Sequence, residues 1–169
     1  MTKSLSLLER ISKLEKLVGI REATEPNKEI LDKAVEGTYE VDANKVINVK
    51  GNVKLLMMDL GSILEKVGQF GSVTGTFDCR SNKLKNLEGS PKSTGGFFSC
   101  ASNDLTNLKF SPESVGGNFD CSKNKLDSLE GCPKTIGNVF NLSGQKSTRI
   151  FKEKDVQLVC KIDKSKIVI

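Results

Sequence analysis

The feature that most constrains the fold of this chain is a 21-residue repeat that begins at residue 77. The pattern Phe-x-Cys-x-x-Asn-x-Leu-x-x-Leu starts at Phe77, Phe98 and Phe119, and a truncated fourth copy starts at Phe140. A fixed period of this length indicates a solenoid. One unit cannot bury its own apolar side chains, so each unit needs its neighbours to complete a core.

Each position of the repeat predicts a structural role. Phe and Cys stand two residues apart, so on a strand both side chains point to one face, which we expect to be the interior. The asparagine lies in the following turn, where its amide can bond backbone groups that lack strand partners. We therefore expect Asn82, Asn103 and Asn124 to form a ladder. In the fourth copy we place Leu142 in the cysteine position and Gly144 in the asparagine position.

The repeat resembles the leucine-rich-repeat consensus, with Phe and Cys in the first two leucine positions, and its short period is similar to that of the bacterial variety. Two segments, Val-Gly-Gly-Asn-Phe-Asp-Cys (115–121) and Cys-Ser-Lys-Asn-Lys-Leu-Asp-Ser-Leu-Glu-Gly-Cys-Pro-Lys (121–134), resemble repeat proteins of large tailed bacteriophages. The resemblance implies an α+β fold, namely a short leucine-rich-repeat-like β-solenoid with N-terminal helices and a C-terminal cap.

The same resemblance implies a function. It predicts a non-enzymatic virion structural or virion-associated protein that acts through protein–protein contacts, located in the virion or the host cytoplasm. The alternative is a soluble intracellular binding module that targets a host protein. Repeat scaffolds bind unrelated partners, so the architecture alone does not choose between the two.

The sequence divides into four regions. Residues 1–25 comprise an amphipathic helix and a polar connector, and residues 26–74 an N-terminal cap with a degenerate first coil. Residues 75–144 form the repeat solenoid, and residues 145–169 a C-terminal cap. Caps are expected because the end coils of a solenoid otherwise expose apolar surface and unpaired strand edges.

Secondary structure in the two caps is predicted from hydrophobic period and turn residues. The predicted elements are a helix over 28–36, strands over 38–41, 46–49 and 53–56, a helix within 150–160 and a strand over 166–169. In the degenerate coil, Leu60 and Ile63 are expected to take the two leucine positions.

The predicted C-terminal helix has an expected start and an expected buried side. Ser147 or Thr148 is expected to cap it, because a hydroxyl can accept a hydrogen bond from the first helical N–H groups. Val156, Leu158 and Val159 are available for burial.

The N-terminal helix is predicted over residues 4–18. Leu7, Ile11, Leu14 and Val18 follow the a/d spacing of a coiled-coil seam. Two heptads are too few for a stable free helix, so this segment needs a partner surface. Either it folds onto its own chain, or it serves as a docking handle, including for a homo-oligomer.

The connector after this helix contains Ile20-Arg21-Glu22. This sequence resembles the site cut by capsid-maturation proteases of large tailed phages. The resemblance implies that residues 1–22 are a removable segment.

Charge argues against a nucleic-acid partner. The formal net charge is +5, and most of the excess lies in residues 145–169, whereas the repeat is almost neutral. A groove that follows a phosphate backbone needs a continuous basic stripe. No run of about 18 apolar residues is present, so no membrane span is predicted, and no secretory signal peptide is recognised.

The cysteines and the lack of histidine bear on chemistry. Cys79, Cys100 and Cys121 recur with the repeat, so they are predicted to be core thiols, and the odd total of five indicates free thiols. The chain has no histidine for acid–base or nucleophilic catalysis. We therefore expect no enzymatic activity, no cofactor and no metal site.

If the solenoid binds a protein, its outward strand face is the predicted surface, because outward residues recur there in register. The residues assigned to this face are Asp78, Arg80, Phe97, Ser99, Asp120 and Ser122. Phe97 is the best candidate for a contact anchor, since an aromatic side chain at an outward position is typical of binding surfaces. The alternative is that the N-terminal helix covers it.

Overall fold

The repeat units lie on top of one another as coils of a parallel β-solenoid, as the period predicts. The computed structural model describes residues 25–169. In it Phe77 pairs with Phe98, Phe98 with Phe119 and Phe119 with Phe140. The predicted helix carrying Leu7, Ile11, Leu14 and Val18 lies outside the described residues.

Each coil contributes one short strand to a first parallel ladder. In spatial order this ladder contains β2 (Val46–Lys54), β4 (Phe77–Asp78), β6 (Phe98–Ser99), β8 (Phe119–Asp120), β10 (Phe140–Asn141) and β11 (Ile167–Val168). The last of these confirms the strand predicted near the C-terminus.

A second parallel ladder, which sequence reasoning did not predict, runs along another side of the coils. It contains β3 (Gln69–Val73), β5 (Ser93–Thr94), β7 (Ser114–Val115) and β9 (Thr135–Ile136). The signal was present, because Val73, Thr94, Val115 and Ile136 follow the same period and all four are buried. The first four coils are therefore held by strand pairing on two sides.

The N-terminal edge is covered by a helix and a hairpin. Helix α1 (Lys28–Ala34) leads into β1 (Val35–Val41), which pairs antiparallel with β2. The predicted helix over 28–36 is too long by two residues, and the strands predicted at 46–49 and 53–56 are one continuous strand. The reason is tertiary: β1 pairs with β2 residue by residue from Val35 onward, and this pairing replaces a further helical turn.

The degenerate first coil is confirmed in the residues it buries. Val53 pairs with Phe77, so this coil is three residues longer than the others. Leu60 and Ile63 are 5% and 0% exposed in the leucine positions, and Ile63 begins the short helix α2 (Ile63–Lys66).

The C-terminal cap differs from its prediction in detail. Helix α3 (Glu153–Val159) begins after Lys152, whose backbone N–H donates to the Asp155 carboxylate at 2.8 Å, so neither Ser147 nor Thr148 caps it. Val156 is buried, but Leu158 and Val159 are 82% and 46% exposed. Two residues along a helix are about 200° of rotation, so Leu158 points away from the side that buries Val156.

A helical turn Lys164–Lys166 then precedes β11. None of the helices in residues 25–169 is long and apolar enough to span a bilayer.

The core is a column of repeated side chains. Phe77, Phe98 and Phe119 stack with centroids 5.5 and 5.6 Å apart, and Phe140 continues the column in a tilted arrangement at 5.3 Å. The cysteine and leucine positions are buried alongside, including Cys100 and Leu142. The inward orientation predicted for the Phe, Cys and Leu positions is confirmed.

The asparagine ladder is also confirmed, and it is the main polar structure of the core. Asn103 Oδ1 accepts from the N–H groups of Asn82 and Leu84 at 2.9 and 3.0 Å. Its Nδ2 donates to the carbonyl oxygens of Cys79 and Cys100 at 3.1 and 3.0 Å. One side chain thus ties its own coil to the preceding one, as the buried backbone requires.

The placement of Gly144 in this ladder is wrong. Gln145 takes the fourth position, where its Nε2 donates to Cys121 O at 2.9 Å and its Oε1 accepts from Leu126 N at 3.2 Å. Gly144 instead has a φ of +66°, the left-handed conformation that Ser102 and Lys123 adopt in the preceding coils. As a glycine, residue 144 adopts this conformation without the backbone strain present at Ser102 and Lys123.

The three core thiols predict a stability that falls at alkaline pH. Burial raises the pKa of the Cys79, Cys100 and Cys121 thiols. Their stability contribution is complete below the unfolded thiol pKa of about 8.5 and is lost as pH rises towards the folded value. We expect each thiol to lower the free energy of unfolding by about 0.8 kcal/mol between pH 7 and pH 9.

Urea denaturation of the reduced protein at both pH values measures this effect. Cys100→Ala is the matched variant, because it removes one thiol and with it about 0.8 kcal/mol of the pH-dependent loss. A pH dependence that Cys100→Ala leaves unchanged would assign the loss to other groups.

Candidate interaction surface

The predicted strand face is less exposed than expected. Asp78, Ser99 and Ser122 are only 3%, 4% and 6% exposed, so these three side chains point outward less than the alternation predicts. Asp78 accepts from the Arg80 backbone N–H at 3.2 Å and from its guanidinium at 2.9 Å. A short side chain in a parallel ladder lies between its counterparts on neighbouring coils, and this arrangement covers Ser99 between Asp78 and Asp120.

Three predicted residues remain accessible on this face. The Arg80 side chain is 52% exposed, Phe97 is 39% exposed and Asp120 is partly buried. Phe97 O accepts from Phe77 N at 2.9 Å, which fixes its backbone in the ladder. The strand face therefore offers one aromatic side chain and one cation on an otherwise flat surface of small polar groups.

A more unusual aromatic residue lies on the turn before the second ladder. Phe110 has a φ of +66° and is 57% exposed. The equivalent residues of the neighbouring coils are Gly89 and Gly131, also at positive φ. Glycine adopts this conformation without strain, whereas an L-residue pays about 1–2 kcal/mol. Strained residues of this kind cluster at functional sites.

The two glycines show how tight this position is elsewhere. A Cβ built on Gly131 would lie 2.4 Å from Leu108 O, and one built on Gly89 would lie 2.6 Å from Leu64 N. Of these three coils, only the third has a side chain there, and that side chain is large and apolar. Comparison of the repeats could have found Phe110, because it is the one phenylalanine in a glycine position.

Phe110 lines a groove that crosses three coils. We call it the Phe110 groove. It has a volume of about 420 Å³ and is lined by Leu64 and Gln69 of the first coil, residues 88–92 of the second, and Phe110, Ser111 and Glu113 of the third. Leu64, Pro91 and Phe110 give it an apolar character, and charged residues lie at its margins.

A buried hydroxyl in the groove lacks a partner. Ser90 is 5% exposed, and its Oγ has no hydrogen-bond partner among the described residues. Its carbonyl is satisfied, since Gln69 Nε2 donates to it at 3.1 Å. A buried polar atom without a partner costs about 1–3 kcal/mol, and Ser99 Oγ on the strand face is in the same state.

The charges at the margin are held by ion pairs between coils. Lys134 donates to Glu113 at 2.8 Å and holds the pKa of that carboxyl below its usual range. The pair is exposed, so its contribution to stability is small. It fixes a carboxylate beside Phe110 and leaves the apolar part of the groove open.

The described residues also bear on catalytic and metal chemistry. Within residues 25–169, no group of three or more His, Cys, Asp and Glu side chains is arranged to hold a metal ion. All five cysteines are free thiols, and four of them are buried. What the arrangement offers is a groove whose lining includes the apolar side chains of Leu64, Pro91 and Phe110.

Leu7, Ile11, Leu14 and Val18, the other predicted binding residues, lie outside the described residues. The remaining predicted residues belong to the strand face, and none of them lines the Phe110 groove. The sequence thus predicted a surface on which three of the six assigned residues are buried, and it did not predict the groove. Compared with family models, curated proteins and solved structures, the chain matches none of them.

Proposed function

We propose that this chain is a non-enzymatic repeat scaffold that binds a protein partner through the Phe110 groove. The observation that carries the proposal is Phe110 itself, a large apolar side chain held at positive φ and half-exposed where the adjacent coils have glycine. A strained, exposed aromatic residue destabilises the free protein, so its presence is explained by a contact that it makes when bound.

The lining of the groove defines the class of ligand. Leu64, Pro91 and Phe110 provide apolar contacts for aliphatic or aromatic side chains. Glu113 and Lys92 can contact polar residues at the edges. An amphipathic segment that places apolar residues on one side fits this lining, as in other helix-in-groove complexes.

The setting of this interaction is proposed from the resemblance of the repeat alone. It is a phage particle, in which the protein is a virion-associated component. The alternative is a host protein as the target inside the infected cell. The identity and stoichiometry of the partner distinguish them, since a component of the particle is present at a fixed ratio.

Phe110→Gly is the variant that tests the groove. It restores the residue of the adjacent coils, so we expect the free energy of unfolding to stay the same or rise by up to about 1 kcal/mol, because strain is relieved. Binding of the partner is expected to weaken by at least tenfold, which is about 1.4 kcal/mol, because an aromatic anchor is lost. Affinity capture from the native source, followed by titration of the captured partner, measures the effect.

Phe97→Thr is the matched control, since Thr76 stands at the same position in the preceding coil. It removes an exposed aromatic side chain from the strand face and leaves the groove intact. We expect Phe97→Thr to bind like the wild type. Loss of binding with Phe97→Thr but not with Phe110→Gly would place the interaction on the strand face instead.

A further inference from the structure

Two cysteines outside the repeated core meet where the C-terminal cap joins the fourth coil. Cys132 lies on a turn of that coil, at the position that Ser90 and Ser111 hold in the preceding two coils. Cys160 follows the last residue of helix α3, and its backbone N–H donates to Val156 O at 2.9 Å. One cysteine thus belongs to the solenoid and the other to the cap.

The backbone brings the two segments together directly after these cysteines. Lys161 pairs with Thr135 in a parallel bridge, and its N–H donates to Lys134 O at 3.2 Å. Lys161 therefore extends the second ladder by one residue beyond β9. Neighbouring strands lie about 4.8 Å apart, and the Cα atoms of a disulfide about 4.4–6.8 Å apart, so segments at this spacing can be bridged.

The side chains of the two cysteines are in contact as well. Cys160 is buried in the hydrophobic core, and Cys132 is partly buried and packs against that core. The Cys132 thiol donates a hydrogen bond to the Cys160 sulfur. Both are free thiols, so the contact between them is non-covalent.

We propose that Cys132 and Cys160 are a redox modification site, at which a small external disulfide such as oxidised glutathione forms an intramolecular disulfide that fixes the C-terminal cap to the fourth coil. The contact between the two sulfur atoms at the junction carries the proposal. It concerns the cap, so it is independent of the Phe110 groove and of the proposed function.

The ionisation of the pair favours the first step. The shared hydrogen bond lowers the pKa of Cys160 and raises the pKa of Cys132. One proton therefore leaves the pair more readily than it leaves an isolated thiol, and the two sulfur atoms share the other proton. Moving that proton to Cys160 places the negative charge on Cys132, which is the more accessible sulfur and the one that can act as a nucleophile.

The reaction consists of two thiol–disulfide exchanges. The Cys132 thiolate attacks one sulfur of the external disulfide, whose S–S bond breaks and whose other half leaves as a thiolate. The Cys160 sulfur, once it has lost its proton, attacks the Cys132 sulfur of the mixed disulfide and displaces the second half. Two electrons and two protons pass from the protein to the external disulfide, which is reduced to two thiols.

The other three cysteines do not take part in this reaction. Cys79, Cys100 and Cys121 are fully buried, and burial raises the pKa of their thiols. They therefore present neither an accessible sulfur nor a thiolate at neutral pH. The modification is specific to the junction between the cap and the fourth coil.

Peptide mass mapping of the full-length protein tests the bond. After incubation with oxidised glutathione, we expect one pair of peptides linked through Cys132 and Cys160 in most molecules, and we expect dithiothreitol to separate them. A stable glutathione adduct on Cys132, a crosslinked dimer, a bond to any other cysteine or the absence of reaction would overturn the proposal.

Hydrogen exchange tests the effect on the cap, with Cys132→Ser as the matched control. Serine is the residue of the preceding two coils at this position, so we expect the variant to fold like the wild type. Oxidation should slow amide exchange in helix α3 of the wild type by about tenfold or more, because the bond prevents the cap from leaving the fourth coil. Cys132→Ser should exchange at the same rate with and without oxidised glutathione. Equal rates in the oxidised and reduced wild type would contradict the fixing of the cap.

Discussion

Replacing Asn103 with alanine should lower the free energy of unfolding by about 3–5 kcal/mol, a large effect for a polar residue. The cost arises from the groups that the side chain leaves behind. The N–H groups of Asn82 and Leu84 lie in fully buried residues and donate to Asn103 Oδ1. Without it, each loses a partner in a place that water does not reach, at about 1–3 kcal/mol per group.

The carbonyl groups that Asn103 contacts are affected less. Cys79 O also accepts from Asn82 Nδ2, and Cys100 O also accepts from Asn124 Nδ2. Each of these carbonyl groups therefore keeps a hydrogen bond to a neighbouring asparagine when Asn103 is lost, whereas the two N–H groups do not. Most of the predicted loss in the free energy of unfolding therefore comes from the two N–H groups that are left without a partner.

Asn107→Ala is the matched control, four residues further along the same coil. Its Oδ1 accepts from Lys109 N at 3.1 Å in a partly exposed local turn, so we expect a loss below about 1 kcal/mol. Urea denaturation followed by circular dichroism measures both variants, since the chain has no tryptophan. Similar losses for Asn103→Ala and Asn107→Ala would mean that the ladder does not stabilise the stack.

Phe98→Ala should also cost about 3–5 kcal/mol, here through a cavity. Phe98 is fully buried and stacks on Phe77 and Phe119 with interplanar angles of 6° and 14°. Truncation removes its own apolar contacts and one partner of each neighbouring ring, and aromatic pairs contribute about 0.5–1.5 kcal/mol beyond burial. The rings on either side are fixed by strand pairing, so the cavity cannot readily collapse.

Phe97→Ala provides the comparison, because it removes the same atoms from the adjacent residue. Phe97 is 39% exposed, and we expect its loss to remain below about 1 kcal/mol. Hydrogen exchange adds a second reading: in a solenoid each coil supports its neighbours, so Phe98→Ala should accelerate exchange in the second to fourth coils together. Equal losses of stability for Phe97→Ala and Phe98→Ala would contradict the Phe column as the main support of the core.

Both predictions depend on positions that the repeat identifies. Asn103 and Phe98 recur at a fixed spacing, and periodic recurrence has one simple cause in a stacked structure, which is that equivalent residues contact each other. The second ladder carried the same kind of signal at Thr94, Val115 and Ile136, but the strands that contain these residues are only two residues long. Two residues are too few to show alternation, so this ladder was missed.

The binding surface was harder to predict, because exposure is not a local property. Asp78 and Ser99 alternate with buried residues, and this alternation predicts that their side chains point outward. In the structure, neighbouring coils and the turn at Arg80 cover them. Phe110 stands where the adjacent coils have glycine, but its exposure, its positive φ and the groove beside it are visible only in the structure. The C-terminal helix shows the same limit, since three apolar residues were available and only Val156 is buried.

The sequence alone determined the stack, its period and the residues inside it, because a repeated unit can bury repeated side chains only against copies of itself. It also determined that a polar ladder must accompany the core, since turns bring backbone groups into the interior. The tertiary structure alone decided which outward residues meet solvent and that a groove opens beside Phe110. These features depend on distances between coils, and distances between segments far apart in the chain are set by packing.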